Sequence, residues 1–320
     1  MKAIVLEGPG GVDQLVYQEV AVPEPGAKEV LIEVKAISIN PVDLKTRSGK
    51  GVYGRIKDQS PLVVGWDIAG VVVQAGSEVS KFKPGDEVFG MVNFPGHGRA
   101  YAEYVAAPES HLAFKPHNIS FEQAAASTLA ALTAWQAFTK QGRLEKGQKV
   151  LVHAAAGGVG HFAVQIARYL GAHVTGTSSG ANRDFVLALG ADAHVDYQNQ
   201  KLEEVITDAD FVLDTIGGDN IDRSLEVTRA GGTLISIPSG LNEQVTEKAK
   251  AKGVNGFFFL VESNGDDMKE IAALLEQGII RPYISKIFDF SDMKAAHELQ
   301  ESGRVRGKVV VLPDRKQDMF

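Results

Sequence analysis

The stretch LVHAAAGGVGHFAVQIARYLGAHVTGTSS, Leu151 to Ser179, decides the fold. Val150 to Val152 read as the end of a strand, and the turn Ala154-Ala155-Ala156-Gly157-Gly158-Val159-Gly160 follows. Beyond it Val159, Phe162, Ala163, Ile166, Ala167 and Leu170 recur at the spacing of one helix face. Gly171 stands where a C-cap belongs, and His173 to Thr177 read as the next strand. Strand, glycine turn, helix and strand, in that order, form the context in which a glycine motif binds a dinucleotide. Without Cβ atoms the backbone turns tightly and lets a pyrophosphate approach. The N–H groups and positive dipole end at the helix start then hold the phosphates. This turn has GGVG where GxGxxG would stand, so its spacing is a variant. The competing reading is a tight turn that binds nothing.

Which dinucleotide is bound depends on the end of the second strand. An NAD site places Asp or Glu there, to accept hydrogen bonds from the ribose hydroxyls. Here the strand runs into Ser178-Ser179-Gly180-Ala181-Asn182-Arg183, with no carboxylate before Asp184. Two hydroxyls and an arginine suit a 2′-phosphate, the arginine through charge-assisted hydrogen bonds. The pattern favours NADPH over NADH. Alternatively Ser179 or Asn182 caps the next helix and Arg183 is solvated.

Upstream, residues 1–118 are rich in short β-like runs: Lys2 to Leu6, Val30 to Ile39, Val63 to Val73, Glu87 to Val92 and Ala102 to Ala106. Turn signals such as Pro23-Glu24-Pro25-Gly26 and Lys83-Pro84-Gly85-Asp86 separate them. Short strands without βαβ spacing imply a barrel-like β domain. Glu122 to Gln141 read as one alanine-rich helix, with Ser120 as N-cap and Gln123 at the capping-box position. After the nucleotide stretch, strands and helices alternate to about residue 283, the pattern of a doubly wound parallel sheet. The predicted strands are Ala193 to Asp196, Phe211 to Asp214, Gly232 to Ile237 and Gly256 to Val261; the helices are Phe185 to Leu189, Ile221 to Thr228 and Asp267 to Gln277. From 284 the tail regains the texture of the first domain, with strands Lys286 to Phe290 and Lys308 to Leu312 flanking a helix, Met293 to Gln300. The expected division is 1–118, 119–283 as an inserted cofactor domain, and 284–320 returning to the first.

Composition narrows the function. The net charge of −7 argues against a nucleic-acid surface, and no basic run suggests a local one. The chain has no cysteine, which excludes disulfides, catalytic thiols and thiolate metal sites and suits the cytoplasm. The opening MKAIVLEGPG has no apolar stretch of signal-peptide length, and no later run is long enough to span a bilayer.

Val63–Gly90, Ile119–Phe138, Ala154–Thr177 and Gly307–Pro313 together resemble the medium-chain dehydrogenase/reductase superfamily, in its zinc-free quinone oxidoreductase branch. The resemblance covers nearly the whole chain. It implies a GroES-like catalytic domain around an inserted Rossmann domain, with hydride transfer from NADPH in the cleft. Zinc-dependent members carry Cys where this chain has Asn40 and a His-Glu pair where it has Trp66-Asp67, so no metal site is expected. Without a Lewis acid, hydride is best delivered to an acceptor already electrophilic, a quinone or an α,β-unsaturated carbonyl.

The resemblance also implies roles for single residues. Asn40 and Thr133 lie beside the nicotinamide, and Tyr53 lies in the loop lining the substrate pocket. Cofactor contacts fall on Ala155, Gly157, Gly158, Val159, Ser178, Ser179, Arg183, Tyr197, Ile216, Gly217, Pro238, Ser239, Phe258, Phe259, Arg306 and Lys308. Simpler readings stand beside several of these: a turn residue for Asn40, a surface aromatic for Tyr53, a strand core for Phe258 and Phe259, and a solvated loop for Arg306. Reduction of an enone, an alkenal or an enoyl thioester remains open beside quinone reduction. So does a protein that binds NADPH without turnover. Pairing of two copies along the apolar strand near Gly256 to Val261 is a further expectation.

Overall fold

Valine and isoleucine at two-residue spacing build the strands of the N-terminal half, because branched side chains pack well on a pleated, half-buried surface. The computed structural model describes residues 1–238, 240, 241 and 244–313. Two compact units emerge, one from Met1–Leu132, Glu262–Gly278 and the chain from Pro282 onward, the other from Thr133–Val261 and Ile279–Arg281.

In the first unit, β1 (Lys2–Leu6) pairs with β2 (Leu15–Glu19) as a two-stranded ribbon. A larger sheet uses β3 (Glu29–Ile39), β4 (Asp67–Ala75), β5 (Glu87–Met91), β6 (Tyr104–Pro108) and β7 (Leu112–Phe114). Between β3 and β4 run two short helices, α1 (Pro41–Arg47) and α2 (Tyr53–Ile56). Asn40, for which a turn residue is the simpler alternative, is instead the N-cap of α1, and Pro41 at the first helical position pre-sets the angle that starts the helix. Tyr53, expected in a glycine-rich loop, opens α2.

The alanine-rich segment is broken rather than continuous, into α3 (Phe121–Ala126) and α4 (Leu129–Gln136), the latter running on into a wider π turn over Ala137–Gln141. Ser120 caps α3 in a capping box with Gln123, as the sequence predicts. The chain breaks at Ser127 and Thr128 because the Leu129 N–H donates to the Asp67 carboxylate (3.0 Å) instead of continuing the ladder. A carboxylate from a distant strand thus caps α4.

The second unit holds β8 (Lys149–Val152), α5 (Gly158–Tyr169), β9 (His173–Ser178), α6 (Arg183–Ala188), β10 (Ala193–Asp196), α7 (Leu202–Val205), β11 (Ala209–Asp214), α8 (Asn220–Val227), β12 (Thr228–Ser236), α9 (Val245–Ala251) and β13 (Asn255–Phe258). Its six strands are parallel in the order β10-β9-β8-β11-β12-β13, the Rossmann arrangement. Helix α5 is buried beyond its predicted apolar face. His161, Val164 and Gln165 are covered as well, and Gln165 exchanges two hydrogen bonds with the Arg281 backbone. Gly171 follows the helix at φ +84, where a left-handed C-cap is needed.

The chain then supplies α10 (Gly265–Glu276), β14 (Ile284–Asp289), α11 (Met293–Glu301) and β15 (Lys308–Leu312). Strand β15 completes the larger sheet of the first unit, antiparallel to β3 with Val309 opposite Ile39. That register sets Lys308 beside Asn40.

Candidate functional site

In the second unit the strand order reverses between β8 and β11, and the turns after these strands flank that switch point, where α/β sheets bind ligands. The glycine turn is built tightly. Ala154 sits at φ +44, its carbonyl accepts from the Gly157 N–H (2.8 Å), and the Ala155 N–H reaches the Thr177 carbonyl of β9 (2.8 Å). A Cβ on Gly160 would lie 2.1 Å from the Ala154 oxygen, so only glycine lets α5 start this close to the turn. After β11, both Ile216 and Gly217 donate their N–H groups to the buried Asp214 carboxylate, which also accepts from Asn220 and Ser236 side chains. A cavity of about 470 Å³ opens at this edge, lined among others by His153, Thr177, Tyr197, Ile216, Asn220 and Arg223.

The predicted cofactor residues of the second unit thus gather at one edge of the sheet: Ala155, Gly157, Gly158 and Val159 after β8, Ser178 and Ser179 at the end of β9, Tyr197 after β10, Ile216 and Gly217 after β11, and Pro238 after β12. Arg183 starts α6 with an exposed guanidinium. Phe258 ends β13 half exposed, Phe259 is buried, and Ser239 lies outside the described residues. Sequence reasoning missed two neighbours on β10. Asp196 stands opposite Ser178, and His194 reaches the Ser178 hydroxyl at 2.7 Å. Asp196 spends its oxygens on the Gln198 N–H and the Asn199 side chain.

The first unit contains a buried polar cluster. Asn40 is 1 % exposed, Lys308 2 % and Asp67 0 %. The Asn40 amide nitrogen donates to Asp67 (2.7 Å), and its oxygen accepts from the Lys308 ammonium, which also donates to the Ile39 carbonyl (2.9 Å). Burial pushes the Asp67 carboxyl up and the Lys308 ammonium down, and their mutual attraction at 3.9 Å opposes both shifts. The Asn40 N–H donates to Asp43 (2.8 Å), which also accepts from Tyr101 OH (2.9 Å). His297 lies 2.9 Å from that same phenol and 3.2 Å from Arg47. Tyr53 is half-buried on α2, and Lys45 on α1 has its ammonium pushed down by burial and by Lys50. Thr133, the first residue of the second unit, is buried, and Arg306 lies over the Tyr283 ring.

Asp43 gives a testable pH dependence. Burial raises its carboxyl to about 7, with the Asp67 charge adding and the Asn40 N–H, Tyr101 and Lys308 opposing. The native state therefore keeps a proton between about pH 4, where an unfolded aspartate loses it, and about pH 7. Across that window Asp43 makes stability fall as pH rises. We predict that Asp43→Asn removes this slope. Its unfolding free energy should gain on the wild type from pH 4 to 7 and run parallel above. Parallel urea-unfolding curves from pH 4 upward would show that Asp43 does not titrate there.

Residues 26–117 match the alcohol dehydrogenase GroES-like domain, and residues 189–311 match a zinc-binding dehydrogenase model. An NADPH-dependent alkenal/one oxidoreductase from Arabidopsis thaliana is 36% identical over 98% of this chain and 80% of its own length. The chain belongs to the medium-chain dehydrogenase/reductase superfamily, in its quinone oxidoreductase branch. The quinone oxidoreductase of Coxiella burnetii superposes with a TM-score of 0.93 at 38% identity, over 98% of this chain and 99% of that one. That of Escherichia coli, complexed with NADPH, superposes at 0.87 and 29% identity, over 98% and 100%.

Not every member of this superfamily shares one chemistry, and the residues of this chain do not fit zinc. Where zinc-dependent members place ligands, this chain has Asn40, Trp66 and Asp67. The Trp66 N–H donates to the Gly96 carbonyl, leaving no lone pair for a metal. The Lys308 ammonium already holds the Asn40 oxygen, and its charge repels a dication. Among the described residues no group of three or more His, Cys, Asp or Glu could hold a metal. NADPH, in contrast, fits: the glycine turn that opens α5 and the cavity beside it suit a dinucleotide.

Proposed function

We propose that this chain is an NADPH-dependent reductase that delivers hydride to a quinone or an α,β-unsaturated carbonyl without a metal. The observation that carries this reading is the side-chain set around Asn40. A lysine ammonium fixed between an amide and a carboxylate offers no Lewis acid to polarise an alcohol oxygen, so the acceptor must itself be activated. Relatives named for alkenals and for quinones support the same class. Bound NADPH supplies the hydride; the chain supplies binding, orientation and protons.

The backbone at the start of α5 holds the pyrophosphate, and Ser178, Ser179 and Arg183 hold the 2′-phosphate. The Tyr53 phenol is the proton donor we assign to the substrate side. Two copies pair along the exposed edge of β13, and a sedimentation mass of a single chain would remove this part of the reading.

The test is oxidation of NADPH, with NADH alongside, against a simple quinone and a short 2-alkenal. NADPH consumption with either acceptor is expected, and saturation of the alkenal double bond would mark an enone reductase. Binding of NADPH without turnover of any acceptor would overturn the enzymatic reading in favour of a non-catalytic one. We further predict that Arg183→Ala weakens NADPH by roughly 10- to 100-fold, the worth of a charge-assisted phosphate contact, and barely changes NADH. Equal losses for both in a fluorescence titration would remove Arg183 from the phosphate site.

A further inference from the structure

Strands β9 and β10 end side by side, with Asp196 opposite Ser178 and His194 opposite Gly176. The His194 Nε2 lies 2.7 Å from Ser178 Oγ, while that hydroxyl donates its own proton to the Ser179 carbonyl (3.1 Å). Ring and hydroxyl are thus hydrogen-bonded partners, and the neutral imidazole keeps one nitrogen able to take up a proton. An ionisable ring thus touches the first of the two serines assigned above to the 2′-phosphate.

The charges around the ring are few. Asp196 lies on its own strand, and Arg183 and Asp184 stand at the start of α6, 3.9 Å apart. From β9 the neighbour is the Ser178 hydroxyl. Burial, with Arg183 assisting and Asp196 opposing, holds the imidazole below its usual range, so the ring is neutral at neutral pH before a ligand binds. A phosphate dianion arriving beside Ser178 changes that balance. It adds about two negative charges where one carboxylate stood, and opposite charge favours the imidazolium.

We infer that His194 couples cofactor choice to a proton: docking of the adenosine 2′-phosphate draws a proton onto the His194 ring, so NADPH is bound with proton uptake and NADH is not. This inference rests on the NADPH reading above. The proton comes from solvent, and no bond of the cofactor changes. His194 is thus a specificity residue for the phosphate, strengthening as pH falls toward the point where the phosphate itself protonates, near pH 6.

Calorimetric titration of the whole protein with NADPH and NADH at pH 7, in two buffers of different ionisation enthalpy, counts the protons directly. Net uptake with NADPH and none with NADH is expected. From pH 8 to 6.5 the preference for NADPH should rise about fivefold in the wild type, the effect of about half a proton taken up on average across a range in which a full proton would give about thirtyfold. In His194→Gln both the uptake and the rise should vanish, with NADH affinity showing that the pocket is intact. No proton uptake by the wild type overturns the inference without any variant, and so does an equal proton count in wild type and His194→Gln. Equal affinity of the wild type for NADPH and NADH would instead sink the cofactor reading itself.

Discussion

Replacing Lys308 with methionine should lower the unfolding free energy by about 3–5 kcal/mol, the cost of stranding a buried carboxylate without its cation. Methionine fills most of the space but leaves the Asn40 oxygen and the Ile39 carbonyl without a donor, and Asp67 without opposite charge. The deficit should shrink in acid, where Asp67 takes up a proton, and grow as pH rises. Adding Asp67→Asn removes the stranded charge and lets the Asn40 amide turn over. The double variant should therefore recover about 2 kcal/mol or more relative to the sum of the two single losses. Urea unfolding of the four proteins measures this coupling. Additive losses, or a Lys308→Met cost below about 1 kcal/mol, would mean that the ammonium is not what holds the cluster.

Gly160→Ala should be the most damaging single methyl in the second unit. The added Cβ would meet the Ala154 oxygen at 2.1 Å and two further backbone atoms at 2.8 Å, and backbone cannot rotate out of the way. Either α5 moves off the turn or the turn opens, at a cost of about 3 kcal/mol or more for overpacking. The N–H groups at the helix start then no longer converge, and NADPH affinity should fall roughly 100-fold. Gly157→Ala provides the contrast. Its Cβ would stand 3.2 Å from the same oxygen, a contact that a shift of a few tenths of an ångström relieves. Its stability should stay within about 1 kcal/mol of wild type, with any loss confined to cofactor binding. Melting temperatures and NADPH fluorescence titrations of both variants test the pair. Similar behaviour of the two would show that the close approach of α5 is not required.

The local parts of this molecule can be read directly from its sequence. The glycine turn, the Ser120–Gln123 capping box and the C-cap at Gly171 each involve residues close along the chain, and each is in place. What the sequence hides is set by register between distant strands. Nothing near Asn40 announces Lys308, which arrives because Val309 pairs with Ile39. His194 meets Ser178 only across a strand pair, although His194 lies in a segment correctly read as a strand and Ser178 extends another by one residue. The break between α3 and α4 was equally hidden. Propensity favours one helix through Ser127 and Thr128, and a carboxylate from β4 outweighs it. The burial of α5 beyond its apolar face follows from partners such as Arg281, more than a hundred residues away from Gln165.

The position of β15 has a consequence for how the protein is made. Strand β3 leaves the ribosome early, but its partner β15 follows some 270 residues later, on the order of tens of seconds at ordinary rates of translation. Until then the nascent sheet has an unpaired edge, and Asn40 and Asp67 lack their ammonium. The second unit, continuous apart from three residues, has all its strands once residue 258 has emerged. The sheet around β3 is thus begun before the second unit and finished after it. During that interval the open edge of β3 is the surface most exposed to non-native strand pairing.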